Sequence, residues 1–312
     1  MAARFCTVLL LLQISSSQLN ALSLNEPRNI LSRRDIISTY GSPAAALAAL
    51  SLPAAPVTSN AAAAGLALSE RDPSVLKNSV FNIPPSTQTY PSFLQGNWDI
   101  TMKYRGFIFP STNIAKEKLI KNYDIPGFQK LSIAMVGDVG REETKYKLNI
   151  DDSSMIEDRK LTMKTSIDGH LGYDAVRGVI YDAKENPNRI SIDFIPQRTR
   201  NANRIELFCN ARESELVSVP SKSDGVTRNI FVCSEYIRQV TFGLSQEFGV
   251  ARQVVGNYAH FYTWRETDDK DIVTGNLLTA AYLDAQDLMF FDEPSKPVVV
   301  YSHDLVGLRI AA

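Results

Sequence analysis

The chain is poor in the residues that carry most chemistry. Its 312 residues include three histidines (His170, His260, His303) and three cysteines (Cys6, Cys209, Cys233). No two histidines stand at H-x-H, H-x-x-x-H or H-E-x-x-H spacing, so no metal site is expected from them. A G-x-S-x-G elbow is missing, which removes the main signature of a serine hydrolase. Gly137-Asp-Val-Gly140 lacks the G-K-[ST] of a phosphate loop and is read as a turn. Three cysteines are too few for a disulfide scaffold, and 16 glycines with 15 prolines exclude a collagen-like chain. Neither sign of charge dominates: 33 Lys and Arg against 34 Asp and Glu leave a net charge of −1, without the basic footprint of a nucleic-acid binder. No apolar run reaches the ~20 residues a bilayer core requires, so no transmembrane segment is expected in the mature chain. The acid groups Asp151-Asp152, Glu157-Asp158 and Asp268-Asp269-Lys270-Asp271 fit no EF-hand spacing and are expected to be solvated turn residues.

The first sixty-odd residues read as addresses. Arg4, the apolar run Val8–Leu12 and the small residues Ser15 to Ala21 have the three parts of a secretory signal, assigned to 1–21. Residues 22–64 are arginine- and serine-bearing and poor in acids, as transit peptides are. They contain the twin arginines Arg33-Arg34, an alanine-rich run and Ala61–Ala64, where A-x-A cleavage is expected. In series, these signals resemble the tripartite import signal of a thylakoid-lumen protein in an alga with a complex plastid. An exported protein with an Ala/Pro-rich tail is the alternative. A linker (65–83) precedes one expected domain, 84–312.

From Trp98 onward, period two dominates. Trp98, Ile100, Met102 and Tyr104 alternate with Asp99, Thr101, Lys103 and Arg105. The same code is read at 145–150, at 160–164 (Leu161 and Met163 inward) and at 190–194. Further strands are expected near 131–136, 177–182, 204–210, 229–240, 256–266, 273–283, 288–291, 297–302 and 305–310. Turns are read at Asp168-Gly169, Gly172, Asn186-Pro187-Asn188 and Ser221–Gly225. The one helix expected spans Asn113–Tyr123. Many evenly spaced strands with one wet face each predict an all-β fold, a single antiparallel sheet closed into a barrel.

Gly96-Asn97-Trp98 opens the first strand, and this G-x-W resembles the entry motif of lipocalins and other calycins. The resemblance implies that Gly96 and Trp98 close the barrel together with Arg309 of the last strand, by cation–π stacking. Three further segments resemble an uncharacterised thylakoid-lumenal family of plants, algae and cyanobacteria. They are Pro91–Ile100, Asn186–Ile192 and the strand motif Ser234-Glu235-x-x-Arg238-Gln239. The family supplies no catalytic residues, so none is expected here.

The aromatic face Tyr258/His260/Tyr262/Trp264, with Phe194, is a candidate cavity lining. The alternative is that it fills the core, with His260 a structural residue or a proton sensor. Phe290-Phe291 and Phe208 form a second aromatic group. Arg177, Arg198, Arg200, Arg204 and Arg238 are candidates for holding a ligand's polar end. A hairpin centred on Ser221/Lys222 would place Cys209 opposite Cys233, and a disulfide there would contribute on the order of 3 kcal/mol; two buried thiols are the alternative. Plastid calycins resemble pigment and lipid handlers, which leaves three readings of function. The first is a non-catalytic accessory or assembly factor of photosynthetic membrane complexes. The second is a carrier of an apolar pigment, lipid or tetrapyrrole. The third is a carotenoid- or lipid-modifying enzyme, for which no acid–base pair is visible. No nucleic-acid partner, metal or obligatory cofactor is expected.

Overall fold

The computed structural model describes residues 85–119, 142–199, 202–220, 225–243, 252–294 and 296–310. The expected targeting region (1–64) and linker (65–83), the expected strand near 131–136, the expected Gly137–Gly140 turn and Arg200 lie outside the described residues.

Nine strands form one antiparallel sheet. In chain order they are β1 (Gly96–Ile108), β2 (Glu143–Ile150), β3 (Val176–Asp182), β4 (Asn186–Phe194), β5 (Arg204–Pro220), β6 (Thr227–Gly243), β7 (Arg252–Glu266), β8 (Ile272–Tyr282) and β9 (Pro297–Arg309). Their order in the sheet is β2-β1-β9-β8-β7-β6-β5-β4-β3, a meander from β3 to β9 that turns back onto β1. The alternation that wrote β1 is seen directly: Trp98, Ile100 and Met102 are buried while Asp99 and Lys103 are exposed. The central strands are buried on both faces. Tyr258, Trp264, Leu277, Tyr301 and Leu305 enter the main core, whereas Ala259, Phe261, Leu278, Ala280 and Tyr282 form a second cluster. Such strands read as near-continuous apolar runs.

The sheet is not closed by strand pairing, which corrects the expectation of a closed barrel. Its end strands, β2 and β3, are both engaged by a helix. A short helix, α1, covers Lys116–Leu119, inside the stretch expected to be helical, and residues 120–123 lie outside the described ones. The longer α2 (Arg159–Leu171) occupies the segment read as a strand at 160–164. Asp158 caps it, its carboxylate accepting the backbone N–H groups of Lys160 and Leu161. Its buried residues Arg159, Thr162, Met163, Ser166 and Ile167 recur at helical spacing. Gly172 ends it in the left-handed conformation, φ 79°.

Toward β2, the backbone N–H of Lys147 donates to Thr165 Oγ1 at 3.0 Å. Toward β3, Asp168 accepts the N–H groups of Ala175 and Val176 at 2.7 and 2.9 Å, and Lys164 Nζ donates to the Val176 carbonyl. Asp168 and Gly169 are therefore docking residues within a helix rather than a turn. Side chains of α2 thus satisfy sheet-edge groups that an open sheet would leave unpaired. The expected strand at 288–291 is also absent; tight turns fill 285–294.

Candidate functional site

Trp98 is fully buried, and its Nε1 donates to the carbonyl of Leu94 at 2.9 Å, at the end of a 3₁₀ turn, Ser92–Leu94. Arg309 lies opposite Trp98 in the β1–β9 register, its guanidinium 4.2 Å from the indole centroid. It also donates to the carbonyls of Gln95 (2.6 Å) and Lys270 (3.1 and 3.2 Å). Gly96 sits at φ 97°, and a β-carbon there would meet the guanidinium at 3.0 Å. Gly96, Trp98 and Arg309 thus form one unit at one end of β1.

The second unit is a buried ion-pair network between α2 and the sheet. The Asp158 cap sets Arg159 in the first turn of α2, where it is 4 % exposed. Its two terminal nitrogens donate to the two oxygens of Glu235 on β6, a bidentate pair. Arg212 of β5 donates to the same carboxylate at 2.6 Å. Parity explains why Arg212 faces Glu235. A bulge between Cys209 and Ala211 leaves Asn210 unpaired and shifts the phase, so Arg212 turns inward where uninterrupted alternation would place it outward. Glu157, expected to be a solvated turn acid, joins this network instead: it accepts the Tyr90 hydroxyl at 2.8 Å and lies 3.7 Å from Arg159. Arg212 further reaches the carbonyls of Ser86 and Pro187, and Asn188 donates to the Pro85 carbonyl at 2.8 Å. Asn186-Pro187-Asn188, expected to be a turn, opens β4 instead, the turn falling at 183–185. Segment 85–90, the start of β4 and the β6 motif therefore meet at one place.

Electrostatics keep these groups in fixed charge states. Burial alone would raise the Glu235 carboxyl, but Arg159 and Arg212 overcome it and hold the group well below the usual range. Burial pushes the phenols of Tyr90, Tyr146 and Tyr262 above their ordinary value. The cavity bounded by these groups, with Tyr262 and Trp264 as its aromatic wall, holds about 30 Å³. That admits about one water molecule; small-molecule sites run to hundreds of Å³.

Of the other expected lining residues, Tyr258 and His260 are buried on the same face of β7 but do not line this cavity, and neither does Phe194 of β4. His260 Nδ1 lies 2.9 Å from Thr279 Oγ1. Its Nε2, His303 Nδ1 and the Tyr104 hydroxyl are buried without a hydrogen-bond partner among the described residues. Burial pushes His260 down to about 4 and, helped by His260 and His170, His303 down to about 3. His260 thus stays neutral in the range where a histidine proton sensor would work.

The β6 motif is split by strand alternation. Glu235 and Gln239 point inward, Gln239 accepting the Tyr258 hydroxyl at 3.3 Å, while Ser234 is buried on the other face and Arg238 is exposed. Arginines expected at a ligand mouth are committed elsewhere. Arg177 pairs with Asp193, Arg204 with Glu206 and Asp193, and Arg198 stacks on Tyr173. Phe208 lies under the Arg189 guanidinium. Cys209 lies opposite Ile237 and Cys233 opposite Ser214, and no disulfide joins them, which corrects the expected pairing. The hairpin ends on Pro220 and Thr227, so its centre falls past Ser221/Lys222. Among the described residues, no three His, Cys, Asp or Glu side chains gather as metal ligands, and no helix is long and apolar enough to cross a membrane.

Fold and site together define a nine-stranded antiparallel β-sheet protein whose end strands are engaged by one helix over a buried Arg–Glu–Arg network. The chain matches no protein-family model, no curated protein and no solved structure.

Proposed function

We infer that this chain is a non-catalytic accessory or assembly protein of photosynthetic membrane complexes, resident in the thylakoid lumen and acting through its outer surface. The observation that carries the surface role is the size of the cavity beside Arg159 and Glu235, which holds about 30 Å³, far short of a pigment, lipid or tetrapyrrole. The charged and phenolic groups around it are locked by burial and pairing, which suits a scaffold better than acid–base chemistry. The address rests on the serial signals of residues 1–64, including Arg33-Arg34. The stacking of Arg309 on Trp98 beside Gly96 supports the resemblance to calycins. The test is native electrophoresis of thylakoid membranes from cells carrying a tagged chain. Co-migration with a photosystem or its assembly intermediates is expected; a lumenal monomer carrying pigment or lipid would overturn the reading in favour of a carrier.

A further inference from the structure

The segment joining β8 to β9 keeps two large apolar side chains in water. Leu288 is 95 % exposed and Phe291 81 %, the two most exposed large hydrophobic residues among those described. A frayed loop would explain this cheaply, but the segment is pinned. Successive turns close between Asp287 N–H and the Asp284 carbonyl (2.8 Å), Phe290 N–H and the Asp287 carbonyl (3.0 Å), and Asp292 N–H and the Met289 carbonyl (3.1 Å). Asn257 of β7 donates to Asp284, and Ser111 and Asn113 donate to the buried Glu293. Met289 and Phe290 pack against the core between the two exposed residues. The fold therefore holds Leu288 and Phe291 outward on a built platform, and apolar groups presented in this way mark interaction sites.

The charge around them selects the partner. Residues 283–296 hold four carboxylates (Asp284, Asp287, Asp292, Glu293) and one lysine, Lys296, which pairs with Glu293. We propose that Leu288 and Phe291 dock into an apolar pocket rimmed by Lys or Arg on a partner protein. The half-exposed Asp284 and Asp287 and the exposed Asp292 supply the complementary rim, and the same carboxylates would be repelled by an anionic membrane surface. This rests on the surface-acting role inferred above and names the surface.

The test uses the full chain and an amphipathic Leu/Lys helical peptide as probe, with a Leu/Glu peptide, neutral and anionic vesicles, and self-association as parallel arms. Binding of the Leu/Lys peptide is expected, weakened about tenfold or more in the Leu288→Ser/Phe291→Ser variant and weakened by salt. An unchanged circular dichroism spectrum is expected for that variant. No binding, equal binding of the Leu/Glu peptide, equal binding by the variant, binding to vesicles only, or self-association that the variant abolishes would each overturn the proposal. Co-migration that survives the double substitution would remove this surface and leave the accessory role standing; probe binding without co-migration would do the reverse.

Discussion

The backbone oxygen of Lys145 on β2 stands 2.1 Å from the place a β-carbon would occupy on Gly169 of α2. The helix lies that close to the sheet edge because the residue at this point has no side chain. Helix propensity alone favours alanine over glycine by about 1 kcal/mol, but the obstacle here is backbone, which cannot rotate away. Overpacking of this kind costs about 1–3 kcal/mol or more. Gly169→Ala is therefore expected to destabilise the protein by on the order of 2 kcal/mol in chemical denaturation. A stabilised variant would show that α2 is not seated against β2.

Glu235 is the shared acceptor of Arg159 and Arg212. Glu235→Ala would strand two buried guanidinium groups, at a cost of about 3–5 kcal/mol. Glu235→Gln keeps the volume and one acceptor and should cost less. Equal midpoints for wild type and both variants in urea would contradict the network.

Stability should fall on mild acidification. His260 and His303 have folded-state pKa values near 4 and 3, pushed below the ordinary 6.5 by burial. The unfolded chain then takes up the proton first, so the stabilisation is complete above pH 6.5 and is lost as pH falls toward 4. Each histidine contributes on the order of 3 kcal/mol across that span. Glu235, held below its ordinary pKa, adds a further loss only below about pH 4.5. A His303→Phe variant should show a shallower decline between pH 6.5 and 4. Identical slopes would show that His303 is not buried in its neutral form.

Cys209 and Cys233 should resist alkylation in the folded protein. Both are buried, and burial pushes the Cys209 thiol up to about 12. Unfolding without reductant should make both Cys209 and Cys233 reactive, as read by peptide mass. Labelling of neither Cys209 nor Cys233 would restore the disulfide.

Strand parity made much of this fold legible. Trp98 to Tyr104 alternate without a break, and the inward positions of Trp98 and Arg309 follow from the parity of β1 and β9. The helix α2 escaped because its buried stripe is largely polar: Arg159, Thr162 and Ser166 face inward with Met163 and Ile167, so Leu161 and Met163 simulated a strand. Asp158 before the stripe was the available signal, a capping residue read as a turn acid. The ion-pair network was hidden for a related reason. Arg212 faces Glu235 only because of the bulge at Cys209/Ala211, and no local pattern announces a bulge. At 288–291 an apolar run suggested a strand, yet the N–H groups of Met289 and Phe290 are taken by the side chain and the carbonyl of Asp287.

The central claim is that the cavity beside Arg159 and Glu235, about 30 Å³, holds no pigment, lipid or tetrapyrrole and that the protein acts through its surface. Native mass spectrometry of the chain purified from its native cells, with organic extraction of the same sample, tests this most directly. The mass of the processed polypeptide alone, and a colourless extract, are predicted. A stoichiometric pigment, lipid or tetrapyrrole released on unfolding would contradict the claim.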